Sequence, residues 1–394
     1  MTGDAVLPEL AAACPAARLA TGADAVAGVV PRYAAAPASV GQASALLRAA
    51  GRHELSVVAR GSGSRLDWGA PPRRCDLVVD TSRLDQVLEH AAGDLVARVQ
   101  AGVSLHQLGE LLAGAGQQLA LDGIPGGNGQ RPAGTIGGTL ATGMAGPRRL
   151  RYGTPRDLVI GITVVRADGT VASSGGKVVK NVAGYDLGKL FAGSYGTLGL
   201  IAEAVFRLHP LPAAASYTTV DTAGPGPARA AVAAAAASEL VPVAVEISRA
   251  ARGQPVQVGV LLEGDPDGVA ERAAALRGLL GDGARTSGEA PGWWGRIEAP
   301  GSPGTLVRVA FWAAALPRVL AAVDAAATAA DPQVSGSAAS ASPRASAVVV
   351  HAPPPVAALV DLWGPVPGLS LMRAVKDQFD PGHRMAPGRF AGGI

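Results

Sequence analysis

Aromatic residues are scarce in this 394-residue chain, at 4%, and charged residues reach only 16%. With hydrophobic residues at 48%, so few charges exclude a disordered or solvating chain, and so few rings leave cores of alanine, valine and leucine. Two cysteines, Cys14 and Cys75, are too few for a disulfide framework or a cysteine metal site. Lysine is nearly absent: there are four, three of them between Lys177 and Lys189, against 30 arginines. The formal net charge of +3 reflects 34 basic against 31 acidic residues and carries no nucleic-acid signal without a basic stripe. Long apolar runs are missing too. The longest charge-free stretches, Pro132–Pro147 and Ala345–Val360, are 16 residues each; one is glycine-rich and the other holds three consecutive prolines. Neither can span a bilayer as a helix. Asp4 and Glu9 near the start, with no early basic residue, argue against a signal peptide, so cytoplasm is the expected compartment.

What is abundant is glycine (53) and proline (30), with no Gly-X-Y period. The length predicts two or three domains. Residues 1–32 read as an alanine-rich helical lead-in. Residues 33–212 read as one domain: a helix from Val40 to Ala50, and strands at Leu55–Arg60, Leu77–Asp80 and Leu95–Gln100. A helix at Leu105–Ala115 and strands at Leu158–Arg166 and Thr197–Leu208 complete it. His209-Pro210-Leu211-Pro212 ends it. Residues 213–375 lose the glycine loops and predict an α+β domain. Its strands are Val241–Ser248, Gln257–Glu263 and Leu306–Trp312, and its helices Ala228–Ser238, Gly268–Leu280 and Leu316–Ala330. Residues 376–394 form a separate tail.

Three glycine passages stand beside predicted strands. Arg60-Gly61-Ser62-Gly63-Ser64 follows one; such a loop either simply turns the chain or nests an anion on consecutive N–H groups. It is not a Rossmann fingerprint, because Leu66 stands where the third glycine is needed, and Gly184–Lys189 is not a P-loop. The second passage, Gly134–Gly143, contains Gly137-Gly138 with Thr135, Thr139 and Thr142 offering hydroxyls. The third runs from Gly184 through Gly193-Ser-Tyr-Gly-Thr-Leu-Gly199. Three within 140 residues point to a large nucleotide cofactor.

These passages, with Tyr152-Gly153 and Arg156-Asp157, resemble the FAD-binding domain of the vanillyl-alcohol oxidase / p-cresol methylhydroxylase (PCMH) superfamily. Lys177-Val-Val-Lys-Asn-Val-Ala-Gly-Tyr-Asp-Leu187 and Lys376-Asp-Gln-Phe-Asp-Pro381 resemble, more narrowly, the FAD-binding subunit of glycolate oxidase, its E subunit. The resemblance implies an α+β architecture: a two-subdomain PCMH-type FAD-binding domain, a ferredoxin-like cap, and a tail returning to the first domain. It implies that Arg60–Ser64 and Gly137–Thr139 wrap the FAD diphosphate, with Thr135 and Ile136 also among the cofactor-binding residues. Pro125, Thr142 and Gly143 would lie near the ribityl chain and flavin, and Gly196, Leu200 and Ile201 near the adenine and ring. Many members tether flavin through a histidine in the first loop; Arg60–Ser64 has neither His nor Cys, which implies non-covalent FAD. The implied partners are a sister FAD-containing catalytic subunit and an iron–sulfur subunit, which would place this chain near a membrane only through those partners.

Oxidising a 2-hydroxy acid needs a base, a cation for the carboxylate and flavin N5 facing the C–H bond. Six histidines are spread so that no two are closer than 16 residues, and residues 213–375 hold only His351. A histidine-rich metal site is therefore not expected in the cap. His351, Tyr185 and Asp186 are the candidate bases; each has a plain structural reading as well. Arg308, Arg344 and Arg373 are candidate carboxylate partners, and Trp293-Trp294 either lines a pocket or packs a loop. In the tail, Met385-Ala-Pro-Gly-Arg389 resembles a superfamily Asn-Pro-Gly ending with Ala386 in the asparagine's place. The leading expectation is an accessory or electron-transfer flavoprotein subunit oxidising glycolate or a related acid. Its rivals are a free-standing FAD oxidase or dehydrogenase, and a structural partner whose FAD site is vestigial.

Overall fold

A computed structural model describes residues 5–122, 134–176, 186–295, 305–311, 313–326, 334–337, 346–353 and 359–394. The expected Pro125, Tyr185 and Arg344, and the lysine-bearing segment before Asp186, lie outside them.

The first lobe is a four-stranded sheet in the order Arg18–Leu19, Tyr33–Ala35, Leu77–Asp80, Val57–Arg60. The last three of these run parallel, as short apolar strands with a helical crossover do. The crossover is the helix Val40–Arg52, started by Ser39, whose hydroxyl accepts from the Gln42 N–H. Its Ala43, Leu46, Leu47 and Ala50 are fully buried, a stripe at helical spacing. The lead-in is helical only over Val6–Ala13. Beyond it, Arg18–Leu19 joins the sheet and Leu10 and Cys14 enter the same core. The reason is polar: Asp24 is buried and bound by Arg18 (2.8 Å) and Arg60 (3.2 Å), which fixes residues 18–24 against the sheet.

The second lobe is an antiparallel five-stranded sheet in the order Val87–Ala91, Val96–Gln100, Leu200–Arg207, Val159–Val165, Val171–Gly175. Helices Leu105–Ala113, Ile136–Thr142 and Leu187–Phe191 contribute to its core through Leu108, Leu112, Ile136, Leu140 and Phe191.

The third unit carries strands Arg285–Ser287, Ala214–Thr222, Val256–Gly264, Ala244–Arg249 and Val334–Ser337, in that spatial order and all antiparallel. Through Arg285–Ser287 the chain order is strand, helix, strand, strand, helix, strand, with helices Pro225–Ala237 and Pro266–Leu280. This is the ferredoxin-like split βαβ arrangement. The helices cover one sheet face, burying Val220, Val245, Ile247, Val258, Val260 and Leu262. A ribbon, Leu306–Ala310 with Ser346–His351, leaves this cap and touches the first lobe: the Gly69 N–H donates to Val350 O at 2.8 Å.

The tail helix Leu369–Phe379 leads into a segment laid on the first sheet. The Val57 N–H donates to Arg384 O and the Ala386 N–H to Val57 O, both 2.8 Å. Lys376 is buried; its ammonium donates to Asp380 (2.6 Å), Thr197 O (2.7 Å) and Met385 O (2.9 Å). Among the described residues no helix is long and apolar enough to cross a membrane.

Candidate functional site

Strand Val57–Arg60 delivers the chain into a glycine loop that sits on the start of helix Ile136–Thr142. The fit is close. A Cβ on Gly61 would lie 2.2 Å from Thr135 Oγ1, so the loop can reach this helix only without a side chain there. Between them runs an open groove lined by Gly61, Ser62, Gly63, Ser64, Arg65, Thr135, Gly138, Thr142, Tyr195 and Arg389. Of the expected cofactor residues, seven therefore line one groove. Neither histidine nor cysteine is among the groove's lining residues.

The remaining expected residues are placed elsewhere. The Arg60 guanidinium turns away to Asp80 (2.8 Å) and Asp24. Ile136 is fully buried in the second lobe, and Gly137 backs onto strand Val96–Gln100, where a Cβ would meet the Ala101 methyl at 2.8 Å. Thr139 is buried behind the groove and accepts a hydrogen bond from Arg65 Nη1 at 3.0 Å. Gly143 ends the helix in the left-handed region, against Gly193. Leu200 and Ile201 are core residues of the central strand, and Gly196 lies in the turn before it.

Arg65, Tyr195 and Arg389 were not expected from the sequence. Arg65 is 7% exposed and Arg389 4%, and burial pushes each guanidinium down to about 10, still charged at neutral pH. Arg389 Nη2 donates to Leu66 O (2.8 Å) and Trp68 O (2.7 Å). Arg65 Nε and Nη2, and Arg389 Nη1, are buried without a hydrogen-bond partner among the described residues. Tyr195 stands between them in the left-handed region (φ 56°), its ring edge-on to Trp363 at 5.1 Å. Burial raises its phenol, opposed by Arg308, Arg389 and Arg65. Bare glycine backbone, the hydroxyls of Ser62, Ser64, Thr135 and Thr142, and unpaired guanidinium N–H groups fit a diphosphate, which needs several donors and positive charge.

The cap's other sheet face turns toward the second lobe. Tyr152 packs there against Val243, Ala244 and Leu261, and its hydroxyl donates to Glu263 at 2.6 Å. Trp293 and Trp294 lie across Gly259, where a Cβ would meet them at 2.7 and 2.9 Å. Beneath them Glu246 is buried and accepts the Gly295 N–H at 2.8 Å; burial pushes its carboxyl up to about 8. Of the other candidates, His351 Nδ1 faces Asp67 Oδ2 at 3.0 Å where the ribbon meets the first lobe. Asp186 caps the helix Leu187–Phe191, Arg373 donates to Gly392 O, and Arg308 is exposed on the ribbon.

The family described as FAD binding domain matches residues 31–175, which hold the three parallel strands of the first lobe, the glycine loop and the helix beside it. The glycolate oxidase subunit GlcD of Bacillus subtilis is 37% identical over 183 residues, 46% of this chain and 38% of that protein. A D-lactate dehydrogenase of Archaeoglobus fulgidus is 38% identical over 174 residues, 44% of this chain and 38% of that protein. The match thus spans less than two-fifths of these relatives. An alkyldihydroxyacetonephosphate synthase structure shares the fold over 91% of this chain and 76% of its own, with TM-score 0.64 and 18% identity. The chain is a flavoprotein built on an FAD-binding domain. Residues 31–175 are thus similar to PCMH-type FAD-binding domains, and FAD is the cofactor that such a domain takes.

Proposed function

We propose that this chain is an FAD-dependent oxidoreductase subunit serving the oxidation of a small 2-hydroxy acid, glycolate or a near relative, to the 2-oxo acid. The observation that carries the reading is the groove: a glycine loop, Gly138 and two buried arginines form a diphosphate cradle in a domain whose relatives are a glycolate oxidase subunit and a D-lactate dehydrogenase. Bound FAD supplies the hydride acceptor. The chain's own residues hold the cofactor and shield it. Arg65 and Arg389 neutralise charge, the loop from Gly61 to Ser64 offers N–H groups, and Tyr195 with Trp363 and Phe390 forms an aromatic wall beside them.

The cap supports an accessory role. Trp293, Trp294, Tyr217 and Tyr152 pack together on its face toward the second lobe. His351 is engaged with Asp67 at the ribbon joint. A sister flavoprotein would then remove the hydroxyl proton and an iron–sulfur subunit would accept electrons, with FAD held here non-covalently. The isolated chain, mixed with glycolate or D-lactate in a stopped-flow instrument, is expected to bleach far more slowly than the assembled complex turns over. Bleaching at catalytic rates would establish a free-standing enzyme instead. Acid precipitation is expected to leave the flavin in the supernatant.

A further inference from the structure

The two arginines of the groove come from opposite ends of the chain. Arg65 follows the glycine loop, and Arg389 is carried by the tail, 324 residues later. Neither has a carboxylate partner among the described residues. The nearest acid, Asp67, faces His351. Removing two guanidiniums from water without a counter-ion is costly, several kcal/mol for each ion. Their remaining donors, Arg65 Nε and Nη2 and Arg389 Nη1, belong to side chains lining the same groove. Planar donor forks of this kind match phosphate oxygens in pairs. Arg389 does a second thing: through Leu66 O and Trp68 O it fixes the chain that follows Ser64. The tail that bears it is held on the first domain by backbone bonds at Val57, Ala70 and Arg73 and by the side chains of Arg384 and Lys376, so Arg389 is one of several ties between them.

We propose that Arg65 and Arg389 are the counter-ion clamp of the cofactor's diphosphate, and that docking of tail residues 380–394 and occupation of the groove are one coupled equilibrium. The inference rests on the FAD reading of this groove and adds the residues and the coupling to it. In the empty groove the burial of two guanidiniums without a counter-ion opposes closure. A dianion reverses the sign, so the ligand stabilises the docked tail by mass action, and the docked tail raises affinity by the same factor.

The test uses the full chain stripped of flavin, with FAD and ADP as separate probes in titration calorimetry, and hydrogen exchange of residues 380–394 as the second readout. ADP carries the diphosphate without the flavin. It is expected to bind, to compete with FAD and to slow exchange in the tail. Arg65→Gln touches neither the tail nor the loop carbonyls; the one hydrogen bond it loses among the described residues is to Thr139, which Arg65→Lys can keep. It is expected to weaken both probes on the order of 10- to 100-fold, as loss of a charged hydrogen bond does, with Arg65→Lys recovering part of the loss. Arg389→Gln is expected to weaken both and to abolish the ligand-induced protection of the tail. ADP affinity unchanged in both variants, or tail exchange indifferent to ADP, would overturn the clamp. FAD bound with wild-type affinity by both variants would also remove the clamp while leaving the flavin reading intact. ADP binding that depends on Arg65 and protects the tail, in a protein that takes up no FAD, would keep the clamp and remove the flavin reading.

Discussion

The groove of the first lobe and the inner face of the cap sheet treat buried polarity in opposite ways. The groove keeps bare glycine backbone, and its Arg65 Nε, Arg65 Nη2 and Arg389 Nη1 have no hydrogen-bond partner among the described residues. The cap face has been filled as a core is filled. Two tryptophans lie over Gly259, and the one deeply buried carboxyl, Glu246, is held in its neutral form by burial and given a backbone N–H partner. A surface prepared for a ligand leaves donors unmet; a surface finished by the protein itself does not. The difference teaches that the two halves of this molecule divide the work unequally, and it can be broken or sharpened by substitution.

The largest effect is expected within the Gly137-Gly138 pair. At Gly138 a new side chain enters the groove past Thr135 Oγ1, 3.2 Å from the Cβ; at Gly137 it strikes the Ala101 methyl in the core. Gly138→Val should give a soluble, folded, colourless protein, and Gly137→Val a protein that loses the second lobe itself. Flavin absorbance and circular dichroism separate the two; yellow Gly138→Val protein would show that the groove does not hold the diphosphate.

Next in size is Lys376→Met. It leaves Asp380 buried opposite an apolar side chain and removes the bonds to Thr197 O and Met385 O. Breaking one partner of a buried pair costs roughly 3–5 kcal/mol. Urea denaturation should show the loss in the FAD-binding lobes, with the cap transition unmoved. An equal shift in both would mean that the two halves unfold as one.

The smallest concerns the cap. Glu246 has a folded-state value of about 8, above the ordinary 4.5 of an unfolded chain. The folded state therefore binds the proton more tightly between those values, and this contribution is full at acid pH and falls as pH rises from about 4.5 towards 8. Glu246→Gln removes that slope. Relative to the wild type, the variant should gain on the order of 2–4 kcal/mol between pH 5 and pH 8.5, with flavin content unchanged. Parallel pH profiles would mean that the carboxyl is already ionised and paired.

Much of the groove was legible because glycine announces itself: Gly61 and Gly138 stand against Thr135 Oγ1, and Gly63 takes the left-handed region (φ 80°). The arginines were not legible. Arg65 and Arg389 are two of 30, and only the fold brings them together. Arg60 pointed the wrong way because the acids that draw it, Asp24 and Asp80, lie on other elements. In the cap, helices and middle strands followed from periodicity, whereas the strand Ala214–Thr222 did not. Its inward positions are Ser216, Thr218, Val220 and Thr222, small and mostly polar, so the alternation of burial has no matching alternation of hydropathy. The lead-in hid its strand in the same way, held by Asp24 rather than by apolar surface.

The bond between Val57 and the tail has a consequence for synthesis. Strand Val57–Arg60 is an outer strand of the first sheet, and residues 384–386 cover its leading end. A nascent chain completes Asp80 about 300 residues before it completes Met385, an interval on the order of 15–60 s at ordinary ribosomal speeds. Through that interval the first lobe has an uncovered strand edge, open to pairing with a neighbouring chain. A lobe completed early is thus sealed only about 300 residues later, and aggregation during expression should depend on how quickly the tail arrives.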